Sequence, residues 1–275
     1  MPLDIPSDLF NIIVPLECVD TSKFIGTSFL LECFCAEDDE RIGLPILVTN
    51  RHVVEDEKIQ FRVNLREGNI IRIKIGELIS GLTFNWVFHP DKNIDLAIVM
   101  IPAYKGQTAR GLSRLMIDNV NNYSEGREIF HLGFPLAKGA EPDVQHKPIL
   151  RTGIIAQKND GYFLIEANVF PGSSGSPVFI KPRININDKE ETIIEQMRLV
   201  GVVSEYIAYQ DVAISRQTGR PRIVFEDNSG LAQVFNIQHI KEIVDSTEFE
   251  EQANPIIEQV ETKTKKKLIK KIEEI

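Results

Sequence analysis

Residues 170–179, FPGSSGSPVF, place two glycines, three serines and two prolines directly ahead of an apolar run. Gly172 and Gly175 bracket Ser174, and Pro177 closes a tight turn before a strand. Glycine permits backbone angles and close approaches that a side chain blocks. Such a turn can aim successive backbone N–H groups inward, the arrangement that stabilises a developing oxyanion. Ser174 would present its hydroxyl beside those donors. Taken alone, the segment also reads as a Gly/Ser-rich surface turn.

A serine hydroxyl is a weak nucleophile without a neighbouring base. Of the five histidines, His52 lies in VTNRHVV, where a strand ends, and Asp95 lies in NIDLAIV, where one begins. Each alone is ordinary. Together with Ser174 they form a His, Asp, Ser order with all three at strand ends. Imidazole can take the serine proton, and a buried carboxylate can hold the imidazole tautomer and stabilise its cation. His89, His131, His146 and His239 lack such company, although His131 also reads as a pocket wall.

Short strands surround these positions. FIGTSFLLECFC and PILVTNRHVV are extended runs, and KIQFRVNL and IIRIKIGEL flank a predicted hairpin turn at REGN. EIFHLGFP, ILRTGIIAQKNDGYFLIEA, SPVFI, MRLVGVVSEYI and RIVFEDNSGLAQVFNI continue the pattern, with a second hairpin at KNDG. Many strands spaced by turns predict a sandwich or barrels, not alternating strand and helix. The polar stretch 118–127 reads as a linker, 181–198 as a charged surface loop, and 236–246 as a closing helix. The division expected is 10–120, 125–245 and a helical tail, 246–275.

That tail holds six Lys and seven Glu, with Val260, Thr264, Leu268, Ile272 and Ile275 at helical spacing. It reads as a helix packed on its own domain, or as a self-association or partner-docking segment over 255–275. Its basic cluster is offset by glutamates, so no membrane partner is expected.

Composition sets outer bounds. The 275 residues are 43% hydrophobic and 26% charged, too apolar for a disordered chain. A net charge of −9 argues against a nucleic-acid partner. No apolar run approaches the roughly 20 residues that span a bilayer, and MPLDIPSDLF reads as no secretory signal. Three cysteines make no disulfide framework. Cys33 and Cys35 stand two apart and would not readily bridge. As a metal half-site they lack a second pair, so no metal and no cofactor are expected. A reducing cytoplasm fits this usage.

The chain resembles the trypsin-like (chymotrypsin-fold) serine peptidases, in particular the disulfide-poor bacterial branch of HtrA-type proteases. TNRHV with His52, DLAIV with Asp95 and GSSGSP with Ser174 match the family's three motifs in order, and the likeness runs over roughly residues 10–245. It implies an all-β fold of two six-stranded antiparallel β-barrels with a C-terminal helix. It implies His52, Asp95 and Ser174 as catalytic triad and the N–H groups of Gly172 and Ser174 as oxyanion hole. HLGFP resembles the element opening the second barrel, and LVGVVS the strand whose backbone receives an extended substrate. Ser176 and Ser173 stand where the family usually has Gly and Asn or Asp. With no Asp at 173 and no activation site, zymogen cleavage is not expected. Nothing after the barrels resembles the HtrA peptide-binding (PDZ) module.

By the same motif the substrate pocket involves Asn168, Ser204, Glu205 and Tyr206. No acid stands at Asn168, so a Lys or Arg preference is unsupported, and an uncharged, small or medium P1 residue is expected. The implied activity is a serine endopeptidase acting on peptide or protein substrates through an acyl-enzyme. The alternative is a catalytically quiet or partner-regulated binding module on the same scaffold.

Overall fold

The computed structural model describes residues 5–34, 43–55, 58–79, 82–101, 111–187 and 190–258. In the N-terminal half, apolar runs form β1 (Ile13–Cys18), β2 (Phe24–Phe34), β3 (Gly43–Thr49), β4 (Ile59–Asn64) and β5 (Ile70–Lys74). Three short strands and one longer one follow: β6 (Leu78–Ile79), β7 (Leu82–Thr83), β8 (Val87–Phe88) and β9 (Ala97–Met100). The one-turn helices α1 (Ser7–Asn11) and α2 (Arg51–Val54) precede β1 and follow β3.

The C-terminal half holds β10 (Glu128–Gly133), β11 (Ile149–Lys158), β12 (Tyr162–Ala167) and β13 (Pro177–Ile180). Then come β14 (Arg183–Asn187), β15 (Glu190–Glu195), β16 (Arg198–Ile214) and β17 (Pro221–Asn236). Helix α3 (Gln238–Val244) closes this half, and a further helix, α4, runs over 247–258.

The expected pair of six-stranded barrels is overturned. The first sheet has seven strands, in the order β5-β4-β1-β2-β3-β9-β8, and its edge strands β5 and β8 do not pair, so it stays open. The segment that could bridge that gap is spent on itself, since β6 pairs with β7. The second half pairs in the ring β10-β11-β12-β17-β16-β13, with β13 returning to β10 through three residue pairs, Ile129↔Ile180 to His131↔Val178. Both predicted hairpins are present: β4 pairs with β5 across REGN and β11 with β12 across KNDG. Gly68 and Gly161 take the left-handed angles those turns require. The predicted loop at 181–198 is instead the hairpin β14–β15. The amphipathic stretch Val260–Ile275 lies outside the described residues.

Strand periodicity divides the core. Phe130, Leu132 and Phe134 face a cluster shared with Phe29, Phe61 and Val99 of the first sheet. Ile129 faces the opposite way, with Phe163, Ile165, Val178 and Val203, inside the second half. One apolar core therefore crosses from one half to the other. Beyond this core, β16 and β17 continue as a two-stranded ribbon, pairing Ala208↔Asn228 through Ile214↔Pro221. Its Ile214, Ile223, Val224 and Phe225 are each more than half exposed.

Candidate active site

Strand β3 ends at Thr49, and α2 turns the chain so that His52 meets Asp95, one residue before the buried Leu96 and two before the start of β9. The His52 backbone N–H donates to Asp95 Oδ1 at 2.9 Å, and His52 Nδ1 lies 2.6 Å from Oδ2. A carboxylate only accepts, so Nδ1 carries the proton and Nε2 presents a lone pair. Ser204 Oγ donates to the same Oδ2 at 2.9 Å, and Asn50 Nδ2 holds the Asp95 carbonyl at 2.8 Å. The Asp95 carboxylate thus accepts three hydrogen bonds. The His52 pKa is raised from its ordinary value, first by the hydrogen bond to Asp95. Burial opposes the shift, and the charges of Asp95 and Glu205 add to it.

The Ser174 turn is held from the other side of the molecule. Thr27 N–H donates to Ser174 O at 3.0 Å, Thr27 Oγ1 donates to Gly172 O at 2.7 Å, and Leu136 N–H donates to Pro171 O at 2.7 Å. Gly175 N–H reaches Val203 O at 2.9 Å. These bonds turn three carbonyls of the loop into the protein. The amides of Gly172 and Ser174 donate to no acceptor among the described residues, whereas those of Ser173, Gly175 and Ser176 are all spent. The glycines are steric requirements. Both have positive φ, 93° at Gly172 and 86° at Gly175, and a Cβ on Gly175 would stand 1.9 Å from Thr27 O.

That loop touches Thr49, three residues before His52, and Val203, one before Ser204. The serine turn and the His52–Asp95 pair therefore share neighbours on both halves. Among the described residues, no hydrogen bond joins Ser174 Oγ to the His52 ring.

The predicted pocket residues divide. Ser204 is buried and spends its hydroxyl on Asp95. Asn168 is exposed, and its carbonyl accepts from Arg151 at 3.1 Å. Glu205 is exposed, while Tyr206 packs on the second-half core and donates its hydroxyl to Glu226 at 2.8 Å. His131 is buried beneath with neither ring nitrogen partnered. Burial and then the Arg151 charge lower its pKa to about 4. Thr27, fully buried, escaped the sequence reading, although it stands in the run FIGTSFLLECFC. Among the described residues, one cluster could hold a metal ion: His89, His239 and Glu242.

A family profile described as a trypsin-like peptidase domain matches residues 32–181. The chain belongs to the trypsin-like peptidase family, and this membership supports a serine-protease-type hydrolytic function. Among solved structures it is similar to the HtrA-type protease AlgWS227A with tripeptide, at 16% identity and a TM-score of 0.47, covering 86% of this chain and 60% of that one. The same protease with decapeptide gives 14% and 0.46, covering 84% and 62%. The chain therefore spans about three fifths of the length of those structures. No curated protein sequence matches it. Among the described residues, no helix is long and apolar enough to cross a membrane.

Proposed function

We propose that the protein is a serine endopeptidase in which His52, Asp95 and Ser174 act as a triad. The observation that carries the reading is the His52–Asp95 pair, bonded through both backbone and ring, facing a serine turn with two unspent amides. His52 Nε2 takes the Ser174 proton as Oγ attacks the scissile carbonyl. The imidazolium that forms is stabilised by Asp95, which Ser204 and Asn50 keep in place. The tetrahedral oxyanion is received by the amides of Gly172 and Ser174. His52 then protonates the leaving amine, and water, deprotonated by His52, resolves the acyl-enzyme. Residues 10–120 supply base and acid, residues 125–245 the nucleophile. The substrate lies extended along β16 near 201–206, its P1 side chain uncharged and small or medium beside Asn168. A reducing cytoplasm is the compartment that the cysteine usage fits.

One observation admits a second reading, a quiet or partner-regulated form. The Ser174–His52 hydrogen bond is absent. Catalytic hydrogen bonds commonly tighten only when substrate binds, so the absence is compatible with either.

A fluorophosphonate probe separates them. We expect one covalent adduct, located on Ser174 by mass spectrometry, and none in Ser174→Ala. Folded wild type that stays unlabelled alone and hydrolyses no peptide would favour the quiet module. Labelling that survives in Ser174→Ala would remove Ser174 from its role.

A further inference from the structure

We propose that His89, His239 and Glu242 form a binding site for a divalent transition-metal ion, zinc by its chemistry, which fastens the closing helix to both halves. His89 directly follows β8 in the first half. His239 and Glu242 are three apart on α3, one turn, so both side chains leave the same face.

The hydrogen-bond pattern calls for a cation. His239 Nε2 lies 2.8 Å from the carbonyl of Gly161. A carbonyl only accepts, so Nε2 carries the proton and Nδ1 of the neutral ring is a lone pair. That lone pair faces Glu242 Oε1, another acceptor, at 3.1 Å. Two acceptors at this distance need a proton or a metal ion between them. On the other side, His89 Nε2 lies 2.8 Å from Glu242 Oε2. His89 Nδ1 sits between the N–H of Asp91 at 3.1 Å and its carbonyl at 3.2 Å. Either tautomer is therefore served. With the proton on Nδ1, given to the Asp91 carbonyl, Nε2 also presents a lone pair to the same point.

The donor set then matches what zinc takes. Two imidazole nitrogens and one carboxylate converge, with one ligand atom from each residue within 4.8 Å of the others. Bonds of about 2.0–2.1 Å to a tetrahedral ion place ligand atoms about 3.3 Å apart; the two imidazole–carboxylate separations, 3.1 and 2.8 Å, lie close to that value, and the two imidazole nitrogens, within 4.8 Å, would draw in on the ion. Each histidine would give its remaining N–H to a backbone carbonyl, Asp91 or Gly161, the support that fixes ligating imidazoles elsewhere. Imidazole ligands favour zinc over magnesium or calcium. His89 is buried, while Glu242 is 53% exposed, leaving an entry path and room for a water as fourth ligand. Joining His89 to α3, with His239 held on Gly161 of the β11–β12 turn, the ion would link three separate stretches of chain.

The test uses untagged, full-length protein dialysed against chelator. Titration with zinc chloride in a calorimeter should give one saturable site per chain, with no equivalent response to magnesium. The melting temperature should rise by several degrees in excess zinc, since an ion that binds only the folded state stabilises it. Glu242→Gln and His239→Gln should each weaken binding at least tenfold while Ser174 labelling persists. Cobalt added to wild type reads the ligands directly and needs no variant. Visible bands of a tetrahedral nitrogen–oxygen site support the proposal, and intense near-ultraviolet thiolate bands would assign the metal to cysteines and overturn it. Absence of a saturable one-to-one site, or unchanged affinity in both folded variants, would equally overturn it, leaving a proton between His239 and Glu242.

Discussion

At the scale of the residue, His52 sits under opposed pressures. Burial favours the neutral ring, while Asp95 and the exposed Glu205 favour the cation, and the cation side prevails. A general base must be neutral, so kcat/KM should rise with pH through a midpoint above 6.5, the ordinary imidazole value. Replacing Glu205 by Gln removes one raising charge and should move that midpoint to lower pH. The ring is 51% exposed, so solvent screens the effect and keeps it small. A pH–rate profile of both proteins on a short reporter peptide decides it; an unmoved or higher midpoint contradicts the assignment. The three motif residues were legible because each sits at a strand end beside a distinctive local pattern. The motif puts Ser204 at the substrate pocket but gives no sign of a bond to the triad. Only folding reveals that its hydroxyl turns to Asp95, 109 positions away. Thr27 was illegible for the same reason. A threonine in a strand carries no sign that its hydroxyl will span to Gly172, 145 positions on.

At the scale of the element, turns and alternation announced the hairpins, but pairing across the sheet did not follow from them. The open first sheet depends on β8, two residues long, and on β6 and β7 pairing with each other, which no periodicity over so few residues can signal. The β14–β15 hairpin was hidden differently. RININ alternates as a strand should, yet the run of charges after it reads as a loop. Helix α4 seats the first part of the helical tail on the core, through residues ahead of the stripe read from Val260. Phe249 and Ala253 are buried, with Ile256 and Ile257 packed beside them, a stripe at helical spacing on the shared core. Asn85 N–H also reaches Gln252 Oε1 at 3.3 Å. Phe249→Ala should therefore cost about 3–5 kcal/mol, read as a lower urea midpoint. A loss below about 1 kcal/mol would show that the helix is not seated on the core.

At the scale of the whole molecule, buried polar groups knit the halves and set a limit in acid. Arg62, fully buried and paired with Glu17 at 3.1 Å, donates from the first sheet to the carbonyls of Ala140, Glu141 and Val144. His146 is buried beside it. Burial and then the Arg62 charge lower its pKa to about 3, as burial and Arg151 lower that of His131 to about 4. The unfolded chain takes up these protons near pH 6.5, and the folded one resists until far lower. Their contribution is thus complete above 6.5 and lost as pH falls toward 4 and below. For His131 the span is worth about 3 kcal/mol. Urea midpoints at pH 7.5 and pH 5 should diverge in wild type and less so in His131→Leu; an equal loss in both would contradict this account.

The core that Phe130, Leu132 and Phe134 share with Phe29, Phe61 and Val99 also bears on inheritance. A recombination joint placed in 118–127, between the halves, looks harmless along the gene. It would nonetheless separate two apolar faces shaped against each other, together with Thr27 and the serine turn it clamps. Chimeras of this protein with its relatives should survive where both faces come from one parent. Lineages should therefore pass the two halves on as a single block.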